Sequence, residues 1–270
     1  MPSWNIHIAQ TERLLATDGA FAHAVRDRNA FVFGNVVPDI PVGYMVPGVA
    51  EPIPYRITHF ADAEPIPKPR EHEFWRSYVE PLLGSAPDGA IVPAPTIQED
   101  VERLNRVHYP MRYADAEPLP VPDPACEAAS LQNVARSKFD LTLGVWTHLV
   151  ADNVWNARVN EFLDSIGGKP SEEFRIKKQG DFDWFGKTLA IHAVPRATER
   201  LLKAAASFDQ YTIGQTDALT AIGVIHEIVR GNPGTPDHAP YRLLTDEFFV
   251  STFEEVLATT ERLFAERTGC

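Results

Sequence analysis

The strongest pattern of apolar positions lies between about Ser137 and Ile166. Core-type positions recur there at alternating steps of four and three residues, which is the spacing of one face of an α-helix. Two glycines follow, and glycine is the usual signal for the end of a helix. The pattern predicts a long helix whose core-facing stripe comprises Leu141, Val145, His148, Asp152, Trp155, Val159 and Phe162.

Shorter patterns of the same kind predict helices through most of the chain. Strand signals are weak, because only Phe31-Val32-Phe33 forms a short apolar run bounded by glycine. Ser251 and Glu254 precede apolar positions at the spacing of a capping box, which predicts the start of the last helix. The predicted helical ranges are about 4–17, 20–30, 71–83, 96–108, 182–192, 196–206, 217–230 and 252–267.

Proline is distributed unevenly along the chain. Of the 23 prolines, most lie between Pro38 and Pro124, where they exclude long helices. From about residue 127 onward prolines are few and the spacing is helical. We therefore predict an all-α fold, a single domain over residues 1–270, in which long Pro-rich loops from the first half lie across a helical bundle.

Composition and charge limit the classes of function. The 270 residues carry 37 acidic and 25 basic side chains, a formal net charge of −12, whereas binding of duplex nucleic acid requires a basic face. The first residues lack the pattern of a signal peptide, and no apolar stretch approaches the roughly 18 residues of a membrane helix. We expect a cytoplasmic protein without a transmembrane segment. Cys126 and Cys270 are far apart and predict no disulfide framework.

Two polar residues, His148 and Asp152, occupy positions that the periodicity assigns to the core. They lie four residues apart and therefore project from one face of the helix. Because burial of an unpaired carboxylate is costly, each side chain needs a compensating partner. The two could bond each other or nearby backbone, or they could bind a divalent cation together, and the pair alone leaves both interpretations open.

Three further residues could supply ligands to the same cation. His7 and His59 each stand between apolar residues, and Asp39 follows an apolar run that ends in proline. Imidazole and carboxylate are common ligands of divalent transition metals. Taken singly, each of the three also fits a hydrogen-bonded core histidine or a turn aspartate.

Together these residues form an ordered set of motifs. The chain carries Pro-Ser-Trp-x-x-His at 2–7, Gly-Asn-x-x-Pro-Asp at 34–39, Thr-His-Phe at 58–60 and Leu-Gly-x-x-x-His-x-x-x-Asp-x-x-Trp at 143–155. This order resembles the zinc-dependent phospholipase C family, and in particular its cytoplasmic bacterial branch. The resemblance covers residues 1–60 and about 139–156 and is faint elsewhere.

The resemblance implies an all-helical protein with a zinc cluster that hydrolyses phosphate esters, either phospholipid head groups or, in a related branch, single-stranded nucleic acids. It implies that one zinc is held by Asp39, His59, His148 and Asp152. Asp152 would bridge to a second metal that His7 also binds. Asp39 would in addition steer the attacking water, which makes it the candidate catalytic residue.

The sequence departs from the family in two places. Secreted members use the free amine and carbonyl of an N-terminal tryptophan as ligands, whereas Trp4 is internal here. They also carry later histidines that hold a third zinc. No histidine occurs from Asn153 to Asn160, and both His192 and His226 are followed four residues later by arginine. The sequence therefore argues against a third zinc of that type.

Several other polar residues have ordinary structural explanations. Asp181 and Asp183 could replace a missing metal ligand, although acidic residues near a helix start are common caps. His226 shares a helical face with apolar residues, so we expect a hydrogen-bonded core histidine. Lys177 and Lys178 form a small basic cluster of the kind that a solvated surface carries.

The leading hypothesis is a metal-dependent hydrolase with two zinc ions that acts on a small phosphate ester, either a phosphodiester or a phosphomonoester. Manganese or iron would suit the same mixed histidine and aspartate ligands. The alternatives are a related hydrolase for another ester or amide, and a non-catalytic helical protein with a structural metal or none. The sequence specifies neither the substrate nor the oligomeric state.

Overall fold

The structure, a computed structural model, describes residues 2–88, 91–96, 129–232, 234 and 240–269. Within these ranges the fold is all-α, as the sequence predicts, and the β pairing consists of two isolated bridges, Asp27 with Val92 and Thr96 with Ala193. The helices are α1 (Trp4–Ala16), α2 (Ala20–Ala24), α3 (Arg28–Gly34), α4 (Tyr55–Thr58), α5 (Glu71–Phe74), α6 (Glu80–Leu83), α7 (Leu131–Ser165), α8 (Glu172–Thr188), α9 (Glu199–Ala206), α10 (Gln215–Gly231) and α11 (Asp246–Thr268). A 3₁₀ turn spans Val37–Asp39, and a π-helical turn, Trp75–Val79, joins α5 to α6.

Helix α7 runs through the middle of the molecule. Ser130 caps its first turn by accepting a hydrogen bond from the backbone N–H of Asn133. Residues 139–152 are buried without interruption, so this part of the helix has neighbours on every side. The sequence pattern predicted a single core-facing stripe; the helix is instead surrounded, by α3 on one side and by α9 and α11 on others.

A glycine contact sets the distance between α3 and α7. A Cβ atom on Gly34 would lie 2.1 Å from the carbonyl oxygen of Leu141, and one on Gly144 would lie 2.3 Å from that of Phe31. Only glycine permits such an approach of two backbones. The contact places the chain that follows α3, including Asn35 and the 3₁₀ turn, directly against the middle of α7.

Most helical predictions agree with the structure, and the differences lie mainly in where the helices begin and end. The predicted helix over 20–30 is divided into α2 and α3, and α3 includes the run Phe31-Val32-Phe33, which was the one weak strand signal. Helix α8 begins at Glu172, about ten residues before the predicted start, with Ser171 as its cap. The capping box at Ser251 is also wrong, because the last helix begins at Asp246 with Thr245 as its cap.

Some predictions concern residues that the structure does not describe. The predicted helix over 96–108 lies outside the described residues except for its first position, and Cys126 and Cys270 lie outside them as well. Among the described helices, none is both long enough and apolar enough to cross a membrane.

Candidate metal centre

The five residues that the sequence singled out come together in one buried cluster. His7 lies on α1, Asp39 ends the 3₁₀ turn, His59 follows α4, and His148 and Asp152 lie one turn apart in the middle of α7. All five side chains are almost fully excluded from solvent. Four separate segments of the chain therefore bring imidazoles and carboxylates to one point in the interior.

The protonation of His148 follows from its surroundings. Its Nδ1 lies 2.7 Å from the carbonyl oxygen of Asn35, and because a carbonyl can only accept, Nδ1 carries the proton and donates it. In a neutral ring this leaves a lone pair on Nε2, pointing into the cluster. The glycine contact between α3 and α7 thus fixes which nitrogen of His148 is free to bind a cation.

The ring of His59 is oriented in a similar way. Its Nδ1 lies 2.7 Å from Thr58 Oγ1, and that hydroxyl in turn donates to the carbonyl of Tyr55 at 3.1 Å. Since the hydroxyl proton is used there, the oxygen accepts from Nδ1–H, and the lone pair of His59 lies on Nε2. The Nε2 atoms of His59 and His148 then face each other at 3.1 Å.

The backbone beside His59 has an unusual conformation. Phe60 has a φ of 52°, in the left-handed region, and is the only described residue other than glycine with a positive φ. This conformation costs a bulky residue about 1–2 kcal/mol and persists only where the surroundings enforce it. The Phe60 ring packs edge-on against Phe74 and Tyr78, which holds the turn and, with it, the position of His59.

One carboxylate oxygen of Asp39 accepts a hydrogen bond, and the other faces a histidine. The indole N–H of Trp4 donates to Oδ2 at 2.8 Å, while Oδ1 lies 3.4 Å from His59 Nε2. Trp4 begins α1 and is buried, so its contribution here is the indole donor. One carboxylate oxygen of Asp39 is therefore oriented towards the histidines.

Asp152 lies among three histidines, and its two oxygens face different ones. Oδ1 is 3.5 Å from His7 Nε2, whereas Oδ2 is 3.7 Å from His59 Nε2 and 3.8 Å from His148 Nε2. A carboxylate whose two oxygens face different groups can bridge two cations. The bridging role that the sequence resemblance implies for Asp152 stays a prediction.

His7 has unsatisfied hydrogen-bonding capacity. Its ring stacks on that of His148 with centroids 4.0 Å apart, and neither of its nitrogens forms a hydrogen bond within the described residues. Asp152 Oδ1 is likewise buried without a hydrogen bond there. Buried polar atoms almost always have a partner, so this pair marks a point where a further group belongs.

Tyr55 is part of the cluster, and the sequence analysis did not identify it. Its hydroxyl donates to Asp152 Oδ2 at 2.7 Å, and its ring stacks on His59 with centroids 3.7 Å apart. Burial, together with the negative charge of Asp152, raises the pKa of Tyr55 well above 10. The hydroxyl therefore stays protonated and remains a donor to the carboxylate. The spacing of Tyr55 four residues before His59 is the only sequence signal for it.

The electrostatics favour ionised carboxylates and neutral imidazole. Burial raises the pKa of Asp39, but the adjacent imidazoles of His59 and His148 outweigh it and lower the pKa to about 2. The same balance lowers the pKa of Asp152 far below its usual range, with the imidazoles as its partners. Burial lowers the pKa of His148 to about 3. Neutral imidazole and ionised carboxylate are the forms that bind metals.

Two overlapping groups have the geometry of a metal site. His7, His148 and Asp152 form one group and Asp39, His59 and His148 the other, with ligand atoms in each group within 4.8 Å of one another. Nitrogen and oxygen ligands of this kind suit zinc, and manganese or iron as well. The unsatisfied atoms of His7 and Asp152 and the opposed lone pairs of His59 and His148 fit a bound cation.

The other candidate ligands have structural roles. Asp181 accepts hydrogen bonds from the backbone N–H groups of residues 242, 243 and 244, which occupies both of its oxygens. Asp183 is exposed and lies within reach of Gln179. His226 is a buried histidine whose Nε2 bonds the carbonyl of Pro195, as expected for the core. None of the three joins the described cluster.

The cluster lies at the edge of a cavity of about 680 Å³, which Asp39 and Tyr55 both line. One wall comes from α8 and the other from loop residues that include Tyr44 and Ile66. Cavities of about 300–1,000 Å³ are typical of sites for small molecules. The cavity provides a route by which a ligand could reach Asp39.

Comparisons with family models, with curated proteins and with solved structures each find no match to this chain. The function therefore has to be inferred from the side chains themselves.

Proposed function

We propose that this protein is a metal-dependent hydrolase, a phosphoesterase similar to the zinc-dependent phospholipases C, with two zinc ions in the buried cluster. The observation that carries the proposal is the contact between Nε2 of His59 and Nε2 of His148, which lie 3.1 Å apart with their lone pairs facing each other. The ionised carboxylates of Asp39 and Asp152 surround them in the interior. Such an arrangement is repulsive unless a positive charge lies among these atoms. The low pKa of His148 argues against a protonated His148 ring as the source of that positive charge.

The described residues divide between the two ions in a simple way. Asp39, His59 and His148 would hold one ion, and His7 would hold the other together with Asp152. Asp152 would contact both, because its oxygens face different histidines. Tyr55, Asn35 and Thr58 would support the ligands from behind, a role that typically affects metal affinity strongly.

Bound zinc would supply a Lewis acid for the phosphoryl oxygen and lower the pKa of water towards neutrality. The protein contributes the position and orientation of the reacting groups. Trp4 holds Oδ2 of Asp39, so Oδ1 is the atom that would face the bound cation and the water on it. Because Asp39 also lines the cavity, it would orient that water towards an approaching substrate.

The cations that the cluster would hold and the size of the cavity support a small phosphate ester as the substrate. A phosphate ester carries negative charge, which two divalent cations would offset in a protein of net charge −12. A cavity of about 680 Å³ accommodates a small organic ester.

The proposal is tested by measuring zinc content and hydrolysis on the same protein. Zinc-loaded wild type should hydrolyse bis(p-nitrophenyl) phosphate or p-nitrophenyl phosphate, and His148→Ala should lose both the activity and bound zinc. His226→Ala is the matched control, because it removes a buried histidine outside the cluster and should retain both. Hydrolysis by His148→Ala at the wild-type rate would contradict the proposal, and zinc binding without hydrolysis would support a structural metal instead.

A further inference from the structure

The cavity beside the cluster is lined by two chemically different sets of residues. Helix α8 lines it with three cationic side chains, Arg175, Lys178 and Lys187, at roughly helical spacing, and with the carboxylate of Asp183; these residues form the cationic wall. Loop residues that include Tyr44 and Ile66 form a mainly apolar wall. The cavity therefore combines an excess of positive charge with an apolar surface, and Asp39 of the cluster lines it as well.

Lys178 is the unusual member of the cationic wall. Its side chain is only 8% exposed, although the sequence analysis predicted a solvated lysine, and that prediction was wrong. Its neighbours on α8 have nearby carboxylates, since Lys177 pairs with Glu173 at 2.6 Å and Arg175 pairs with Glu172. Lys178 forms no ion pair with a carboxylate of the described residues.

A buried ammonium group without a counter-ion is costly. Burial lowers the pKa of Lys178. Lys178 and the candidate metal ligand Asp39 line the same cavity. A lysine buried in a cavity wall beside a metal-ligand cluster is well placed to receive an anion.

We propose that Lys178 binds an oxyanion of the substrate, a phosphate ester whose apolar part rests on the wall that includes Tyr44 and Ile66. This inference rests on the proposed function, because the ester is the one that the metal cluster would hydrolyse. The ammonium group donates to a phosphate oxygen, and the anion supplies a counter-ion that no carboxylate of the described residues provides. Lys178 is a binding residue in this account and does not ligate metal.

The test uses Lys178→Met, which keeps the length of the buried chain and removes its charge. The matched control is Lys177→Met, which changes the net charge equally on the exposed side of the same helix. Inorganic phosphate is titrated into each zinc-loaded protein by calorimetry. Lys178→Met should bind phosphate about tenfold or more weakly, the effect of losing one charge-assisted hydrogen bond, and Lys177→Met should bind as wild type does.

A second measurement covers the case in which Lys178→Met folds poorly. Lys178→Arg retains the charge, should fold, and should recover most of the affinity. With p-nitrophenyl phosphate as a soluble ester and dihexanoylphosphatidic acid as a lipid ester, Lys178→Met should raise KM more than it lowers kcat. The ester that shows the larger effect identifies whether the substrate is soluble or a lipid.

The possible failures can be told apart by zinc content. If Lys178→Met retains zinc and binds phosphate as tightly as wild type does, the role of Lys178 is overturned while the proposed function stands. If wild type binds no zinc, the proposed function fails, and a loss of phosphate binding in Lys178→Met would still support the anion site.

Discussion

The Nε2 atoms of His59 and His148 face each other at 3.1 Å, and the second nitrogen of each ring has a partner of its own. The carbonyl of Asn35 accepts a hydrogen bond from Nδ1 of His148. The carbonyl of Tyr55 holds the Thr58 hydroxyl, which accepts from Nδ1 of His59, so both rings have the lone pair on Nε2. The protein thus holds two lone pairs in opposition at buried side chains. This arrangement is the main reason to infer a cation there.

Removal of metal should destabilise the wild-type protein. A ligand that binds only the folded state at about 100 times its Kd adds about 2.7 kcal/mol of stability, and a chelator removes it. For a chain of this size the midpoint of thermal unfolding should fall by about 5 °C or more, measured by differential scanning calorimetry. His226→Ala should respond to chelator as wild type does. A chelator effect of equal size in His148→Ala would show that the metal binds elsewhere.

Tyr55→Phe should weaken metal binding without unfolding the protein. The substitution removes the O–H donor to Asp152 Oδ2 and leaves the aromatic ring that stacks on His59. Loss of a group that supports a ligand typically costs about 10-fold or more in metal affinity. Competition with a fluorescent zinc chelator measures the change, and Tyr44→Phe, at an exposed tyrosine, should leave the affinity unaltered. An unchanged metal affinity in Tyr55→Phe would show that the hydroxyl does not support metal binding.

Gly34→Ala should destabilise the fold strongly. Its new Cβ would lie 2.1 Å from the carbonyl oxygen of Leu141, so α3 and α7 would have to separate, at a cost of about 3 kcal/mol. Gly180→Ala is the control, because a Cβ there meets nothing within 4 Å and lies in the interior of α8. That change should stabilise the protein by up to about 1 kcal/mol. Urea unfolding measures both, and equal stability of the two variants would contradict the close contact.

Asp140 should make stability depend on pH. Burial raises its pKa from 3.8 to about 6, against the opposing effect of Arg136. Because the folded pKa is the higher one, the contribution of Asp140 to stability is fully present below pH 3.8 and is lost as the pH rises through 6. Relative to Asp140→Asn, wild type should therefore lose about 2–3 kcal/mol of unfolding free energy across that interval.

The measurement for Asp140 is urea unfolding of both proteins from pH 4 to pH 7 with chelator present, so that the metal cluster contributes equally. Asp140 lies on α7 among Asp27, Ser137, Arg136 and Arg200, apart from the candidate metal ligands. A difference between wild type and Asp140→Asn that stays constant with pH, or that grows as the pH rises, would contradict the raised pKa.

The sequence predicted the long helix and the set of five polar residues, because both produce local signals. A histidine and an aspartate four apart in an apolar helix are conspicuous, and the motif order linked them to His7, Asp39 and His59. Whether these five bind metal stays a prediction. The structure contributes their convergence, which depends on contacts between segments far apart in the chain.

The failures of prediction have physical causes. The run Phe31-Val32-Phe33 is buried on all sides, and a fully buried helix lacks the polar face that reveals its period. The first turns of α8 are mostly charged and exposed, so their apolar spacing is too weak to mark the start at Glu172. Tyr55 and Lys178 could not be identified because their importance arises from partners and walls supplied by distant segments.

The central claim is that two cations lie among His7, Asp39, His59, His148 and Asp152. Anomalous X-ray diffraction at the zinc absorption edge, on crystals of zinc-reconstituted wild-type protein, tests it most directly. We predict two peaks, one beside the Nε2 atoms of His59 and His148 and the other beside His7, with Asp152 between them. The absence of any peak within this cluster would contradict the claim, whether zinc is fully bound elsewhere or not bound at all.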